Sequence, residues 1–326
     1  MFSGNNFMVK LIQTGLGFIK LARPIHWIKN LSIFAALVFT GALLQKQLVL
    51  RVFWGFIVFN LAASATYAFN DLLDRDRDRK HPIKKLRPIA SGLINPGLAL
   101  VFSGSLAIIS LAMAFKLSYL FFLILLSYLM LQIGYSIYLK NLYIIDILII
   151  AAGFIIRVYS GAFIINAHLS VWFLLCVVSV ALFLASGKRR AEIGALGKSG
   201  TTRKTLIRYS PELLNSYVTM FGNAAWMSWS LFTFFESPQA SMPLWLFLAE
   251  LSRTTTVNKL LMATIPVTIF GIMRYQSLIF ENRAETPEKL LLTDKALIAS
   301  VILWVIMVVW ILYGGVASAD HSVYIT

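Results

Sequence analysis

Apolar residues in this chain come in long runs rather than in the narrow stripes of a soluble helix. Nine runs approach the roughly 20 residues that a helix needs to cross a hydrocarbon core. They cover residues 28–45, 51–70, 95–115, 118–139, 143–165, 169–186, 212–235, 259–280 and 294–317. The first is short, and Pro266 interrupts the eighth. Residues 1–20 follow another pattern, with Val9, Ile12, Leu16 and Ile19 at helical spacing. That pattern predicts an amphipathic helix lying on a membrane. The segment lacks the uninterrupted apolar run and the cleavage site of a signal peptide. The chain shows no short repeat and no low-complexity linker. The pattern predicts an all-α integral membrane protein with about nine transmembrane helices. They form one domain over residues 21–317, followed by a short external tail, 318–326.

Composition agrees. Of 326 residues, 59% are hydrophobic and 13% charged, with a mean hydropathy of +0.77. An average soluble domain carries about 25% charged residues, so an ordinary soluble protein is excluded. The hydrophobicity also excludes a disordered chain. The 13% aromatic content suits interfacial belts. A single cysteine, Cys176, rules out a disulfide framework and a cysteine-based metal cluster. The formal net charge of +15 raises the question of nucleic acid, and the distribution of the charge answers it. With the N-terminus inside, 23 of the 29 basic residues fall in inside segments and five in outside ones, with Arg157 left within a span. The positive-inside rule therefore puts the N-terminus in the cytoplasm and the C-terminus outside. The basic excess then needs no nucleic-acid partner.

Four of the 14 acidic residues crowd together as Asp71, Asp74, Asp76 and Asp78, directly after the second run. Counting back from Asp78 by steps of three and four meets Asp74, Asp71, Tyr67, Ser64 and Asn60. A helix running on past the membrane would carry three carboxylates above a polar stripe that reaches into the bilayer. Asn70 lies beside that face. Asp76 points elsewhere, between Arg75 and Arg77. Hard oxygen ligands of this kind suit Mg²⁺, which typically takes one or two carboxylates plus substrate phosphates. A solvated acidic loop paired with its own arginines is the alternative.

Basic residues gather at the same level. His81, Lys84, Lys85 and Arg87 follow the acidic cluster, and Lys188, Arg189, Arg190 and Glu192 follow the sixth run. Each group reads either as a topology anchor or as a phosphate site. Asp146 and Arg157 are eleven residues apart in the fifth run and so share a helix face. Charges near mid-membrane are expensive and mark a cavity or pathway, or an interhelical ion pair. Gly153, Ser160 and Gly161 beside that face allow close approach. Tyr135 and Lys140 precede this run. Arg23, Trp27, Lys29 and Asn30 open the first, with Trp27 read as a belt residue and Lys29 as anchor or ligand. Together these residues point to a Mg²⁺-dependent site for a phosphorylated or diphosphorylated substrate, above an apolar bundle for a lipid chain.

Asn70-Asp71-x-x-Asp74-x-x-x-Asp78 resembles the first Asp-rich motif of the UbiA superfamily of intramembrane prenyltransferases. Nine helices with motif loops after the second and sixth are similar to that family too. The resemblance is strongest with its phosphoribosyltransferase branch, whose members act on decaprenyl phosphate. It rests on Arg23-Pro24-x-x-Trp27-x-Lys29-Asn30, on Tyr67-x-x-Asn70-Asp71, and on His81-Pro82-x-Lys84 with Arg87 to Gly92. It continues through Tyr135-Ser136-x-x-Leu139-Lys140 with Asp146, Gly153-Phe154-x-x-Arg157-x-x-Ser160-Gly161 and Ser186-Gly187-Lys188-Arg189-x-Ala191-Glu192. It ends with Arg274-Tyr275, Pro287-Glu288 and Asp294. It spans roughly residues 20–315. Typical prenyl-transferring members carry a second Asp-rich motif after span six. This chain has Lys188, Arg189, Arg190 and Glu192 there, as the phosphoribosyl branch does.

The resemblance implies transfer of 5-phosphoribose from 5-phosphoribose 1-diphosphate to a polyprenyl phosphate, in a bacterial inner membrane with the site at the cytoplasmic face. It implies Asn70, Asp74 and Asp78 as catalytic Mg²⁺ ligands, with Asp71 assisting. It implies Lys29, Tyr135, Lys140, Lys188 and Arg189 as phosphate ligands, with Glu192 in the same substrate-binding motif. Asp146 and Arg157 are left to ribose binding or ligand orientation. Transfer of a prenyl group to another acceptor is the alternative enzyme. A transporter or lipid-binding scaffold is the alternative outside enzymes.

Overall fold

A computed structural model describes residues 3–194, 208–236, 257–281, 290 and 292–314, and all the regular structure among them is helical. The amphipathic segment is helix α1, Ser3–Ala22. The later helices are α2 Ala35–Phe39, α3 Lys46–Leu73, α4 Arg75–Arg79, α5 Pro96–Leu117, α6 Tyr119–Ile137, α7 Ile145–Ile165, α8 Val171–Gly194, α9 Pro211–Phe235, α10 Ile265–Phe280 and α11 Lys295–Tyr313. Side-chain caps fix several starts. Asn95 accepts from Gly97 N ahead of Pro96, Ser118 from Phe121 N, Ser210 from Leu213 N ahead of Pro211, and Asp294 from Leu297 N.

Seven stretches are long and apolar enough to cross a membrane: α3, α5, α6, α7, α8, α11 and Lys259–Phe280, which includes α10. The chain is a multi-pass membrane protein. Two of the nine predicted runs look different. Residues 212–235 form the 25-residue α9, long enough to cross but diluted by Glu212, Asn215, Asn223 and its serines. Residues 28–45 form no long α-helix. A 3₁₀ segment, Pro24–Phe34, leads into the short α2. At about 2.0 Å per 3₁₀ residue and 1.5 Å per α residue, Pro24–Phe39 still extends about 30 Å. The cause of the stretched geometry is visible along α3. Arg23 pairs with Asp71, Trp27 Nε1 donates to Ser64 Oγ (3.1 Å), and Asn30 Nδ2 donates to Asn60 Oδ1 (2.6 Å). Seven residues of the 3₁₀ segment must keep pace with eleven of α3, which a 1.5 Å rise cannot do. Trp27 is therefore a cross-helix donor rather than a belt residue.

A Cβ on Gly161 would lie 1.9 Å from the Ile33 carbonyl oxygen. Helix α7 thus presses its backbone against the 3₁₀ segment, and neither backbone has a side chain to move aside. Gly161→Ala is expected to destabilise the protein by about 1–3 kcal/mol, the usual effect of overpacking, read as a lower Tm in detergent.

Ile33, Leu37, Val58, Phe59, Phe121 and Leu125 form one buried core between the 3₁₀ segment, α2, α3 and α6. A second joins Phe173, Trp229, Phe232, Leu261, Val308 and Ile311. Phe39 links them, with ring centroids 4.8 Å from Phe173 and 5.7 Å from Trp229 and from Phe232. The ring of helices closes where the Tyr313 hydroxyl of α11 donates to the Val38 carbonyl (2.6 Å) and lies 3.0 Å from that of Leu37.

Candidate active site

The carboxylates stand at the end of α3. The helix bends at Asp74 (φ −88°, ψ 0°), but Asp74 N still bonds to Asn70 O and Asp78 N to Asp74 O. The predicted face survives the bend. Asp71, Asp74 and Asp78 are buried, whereas Asp76 is outside with Arg75 and Arg79. Each buried carboxylate meets a cation. Asp71 pairs with Arg23 and with Arg87 (2.9 Å). Asp78 pairs with the same Arg87 nitrogen (2.6 Å). Asp74 pairs with Lys140 (2.8 Å) and with Arg77, and accepts from Asn70 (3.2 Å). Burial pushes the Asp78 carboxyl above its ordinary range, against the pull of Arg87.

A second cluster surrounds Arg189, which is 1% exposed on α8. Its guanidinium reaches Asp146 (2.6 Å) on α7, Glu192 on its own helix and the Tyr135 hydroxyl (2.8 Å) on α6. Tyr209 donates to Asp146 (2.7 Å) and accepts from Ile144 N (2.8 Å). Burial and that bond to Asp146 push the Tyr209 phenol well above its usual value. Ile144 itself has φ 68°, as Arg23 has φ 53°. Both are sparsely populated conformations for residues with a side chain, and each costs on the order of 1–3 kcal/mol. Both sit where a charged partner of the site is held.

Asp146 and Arg157 do not meet. Arg157 lies three turns further into the bundle. It donates to Asn30 Oδ1 (2.7 Å), Gly153 O (2.6 Å) and the Tyr128 hydroxyl (3.2 Å). The rings of Phe154, Tyr128 and Phe59 lie 5.3–5.6 Å from its charge. Of the two readings of this shared face, the interhelical ion pair holds for Asp146, which α8 reaches through Arg189, while Arg157 bonds to Asn30 of the 3₁₀ segment. Lys188, Arg157 and Arg23 each act electrostatically on Lys29. Pro287 and Glu288 lie outside the described residues, while Arg274 and Asp294 form a two-point ion pair (3.1 and 2.7 Å) between α10 and α11.

Sequence reasoning placed Arg23, Arg87 and Asn60 near the site without assigning their partners, and it missed Tyr128 and Tyr209. Nothing local marks Tyr128 or Tyr209.

The donor set fits a hard cation. Arg87 Nη1 bonds to one oxygen of Asp71 and one of Asp78, so a single positive centre already sits between two carboxylates. Among the described residues no three acidic, histidine or cysteine side chains converge as a ready-made metal cage. A metal that arrives with its own phosphate ligands matches such a set.

A buried acidic cluster faced by cations thus stands at the mouth of an apolar bundle, the arrangement of an intramembrane transferase. The chain belongs to the UbiA prenyltransferase family, whose model matches residues 31–190. It is 32% identical over 302 residues to a decaprenyl-phosphate phosphoribosyltransferase of Corynebacterium glutamicum, covering 91% of this chain and 87% of that one. It is 34% identical over 294 residues to the protein of that name in Mycolicibacterium smegmatis, covering 89% and 90%. Among solved structures it is similar to a UbiA homolog from Archaeoglobus fulgidus bound to GPP and Mg²⁺, at TM-score 0.66 and 19% identity over 90% and 97% of the two chains.

Proposed function

We propose that the chain transfers 5-phosphoribose from 5-phosphoribose 1-diphosphate to a polyprenyl phosphate, at the cytoplasmic face of a bacterial inner membrane. The observation that carries this reading is the make-up of the second motif. Lys188 and Arg189, with a single acidic neighbour in Glu192, stand where a second grip on a metal diphosphate would need aspartates. A donor with both a diphosphate and a 5-phosphate calls for extra cations, and Lys29 and Lys188, which act electrostatically on one another, are the ones assigned to it. The named relatives, similar over nine-tenths of the chain, support the same reading.

Nine crossings follow if Pro24–Phe39 and α9 join the seven apolar stretches. The charge distribution then places the N-terminus inside and the C-terminus outside. Residues 21–317 form one catalytic domain, with α1 lying on the inner surface; residues 318–326 are outside the described set.

Asn70, Asp74 and Asp78, with Asp71, would hold Mg²⁺, which supplies positive charge to the leaving diphosphate. Lys140 and Arg87 now neutralise those carboxylates and are placed to exchange them for phosphate oxygens. Lys29 and Lys188 bind phosphates, and Arg189, Tyr135, Asp146 and Glu192 hold α6, α7 and α8 in register around them. An oxygen of the acceptor phosphate attacks C1 of the ribose. The C1–O bond breaks, and the diphosphate leaves with its electron pair. The acceptor is already an anion, so no strong base is needed, and attack opposite the leaving group inverts C1. Purified protein given labelled 5-phosphoribose 1-diphosphate, polyprenyl phosphate and Mg²⁺ is expected to move label into the lipid phase, and to stop when EDTA is added. Label that stays in the aqueous phase under all conditions would refute the reading.

A further inference from the structure

The loop between α4 and α5 leaves the bundle and comes back to it. Arg79 Nε, at the end of α4, donates to the Ala90 carbonyl (3.3 Å) and ties the two legs together. On the returning leg Arg87 reaches Asp71 and Asp78. By Ile89 the chain shares a buried core with Leu21 of α1 and Ala68 of α3. Ala68 lies five residues, about 7–8 Å, inside the end of α3 at Leu73. A Cβ on Gly17 of α1 would lie 3.1 Å from the Leu93 side chain, so the interfacial helix flanks the returning leg. The loop therefore keeps to the rim of the bundle, at the level where the apolar stretch of α3 runs out.

Two apolar side chains at its tip face outward. Ile83 and Leu86 are 67% and 74% exposed, as open as Val101 and Ile108 on the membrane-crossing α5, at 69% and 70%. Side chains three apart eclipse in a 3₁₀ turn, and Ile83 precedes the 3₁₀ turn Lys84–Leu86. The two thus make one apolar edge. The His81 ring holds the turn, its Nδ1 accepting from Ile83 N (3.2 Å) and Lys84 N (3.3 Å). Lys80, Lys84 and Lys85 flank the edge, and residues 75–87 hold seven basic residues against two acidic ones. Both acidic residues are engaged by arginines, Asp78 by Arg87 and Asp76 by Arg75 and Arg79. Water suits the lysines but not the edge, and hydrocarbon suits the edge but not the lysines. An anionic headgroup layer suits both, with the apolar tips on the acyl chains and the ammonium groups among the phosphates.

We infer that the Ile83–Leu86 edge inserts into the leaflet on the side of the candidate site, with the flanking lysines bound to anionic phospholipid headgroups. Arg87 is the next residue, so the lipid surface steadies a counter-ion of the acidic cluster. This contact is independent of the reaction catalysed and requires only that the chain spans a bilayer.

The test uses full-length protein with Cys176→Ala and Leu86→Cys, labelled with the fluorophore NBD, in vesicles of equal parts phosphatidylcholine and phosphatidylglycerol. Quenching by spin-labelled lipids is expected to place the label about 5–10 Å below the headgroup boundary, shielded from aqueous iodide. Ile83→Cys is expected at the same depth and Lys85→Cys nearer the water, which separates insertion of this edge from the label's own affinity for lipid. Positions 83, 85 and 86 are all exposed, so each variant is expected to keep the unmodified Tm. A quencher carried on phosphatidylglycerol is expected to act about fivefold more strongly than the same group on phosphatidylcholine. Lys80→Gln with Lys85→Gln is expected to abolish most of that preference. A label open to iodide, a label shielded from both quenchers by protein, one depth at all three positions, or equal quenching by the two lipids overturns the assignment. Insertion without any phosphoribosyl transfer would count against the reaction and not against the lipid contact.

Discussion

Asp74→Asn is expected to reduce phosphoribosyl transfer by about 10²–10³-fold, the loss typical when one preorganised electrostatic group is removed from a developing charge. The structure adds a complication that the sequence did not suggest. Asp74 also neutralises Lys140, and both side chains are buried. Removing one member of a buried pair costs about 3–5 kcal/mol, since the other charge stays behind. The single variant is therefore expected to melt earlier as well as to lose activity. The double variant Asp74→Asn with Lys140→Met, compared with Lys140→Met alone, separates the two effects: Tm should recover while transfer stays well below that of Lys140→Met. Recovery of transfer along with Tm would mean that Asp74 acts only through the fold.

Arg189→Leu should give the largest loss of stability among single changes near the site, about 3–5 kcal/mol, measured by thermal unfolding followed by tryptophan fluorescence. The guanidinium is the shared partner of Asp146, Glu192 and Tyr135. Without it, a carboxylate on α7 is stranded in the bundle. Arg189→Lys should recover part of the loss, because an ammonium keeps the charge but not the fork that reaches three partners. Combining Arg189→Leu with Asp146→Leu removes both buried charges and should restore much of the Tm. If Arg189→Leu melts like the unmodified protein but raises a substrate KM, then Arg189 binds ligand and is not the hub described above.

Most helices were legible in the sequence because lipid imposes a length. The run 143–165 became Ile145–Ile165, and 212–235 became Pro211–Phe235. Length alone did not distinguish α from 3₁₀ at residues 24–34. That choice depends on three cross-helix partners, Asp71, Ser64 and Asn60, whose spacing only has meaning once α3 lies alongside. The polar stripe itself was readable, since its period is a property of one helix. Partner choice was not. The sequence places Asp146 and Arg157 on one face of α7, yet that says nothing about whether α8 brings Arg189 to the first or the 3₁₀ segment brings Asn30 to the second. The acidic face and the cations at its level were legible as chemistry, and which cation meets which carboxylate was not, because Arg23, Arg87 and Lys140 come from three different segments.

The hydrogen bond from Tyr313 to Val38 has a consequence for biosynthesis. Its two ends are 275 residues apart, so the α2 end is synthesised well before the α11 end that meets it. The backbone after α2 satisfies the Ala36 and Leu37 carbonyls, from Thr40 N and Ala42 N, while the Val38 carbonyl accepts from Tyr313, and an unsatisfied carbonyl in hydrocarbon costs several kcal/mol. A nascent chain that has not yet made α11 leaves the Val38 carbonyl without this donor, and the contact forms only once α11 docks. The contact thereby makes closure of the bundle a late event in biosynthesis.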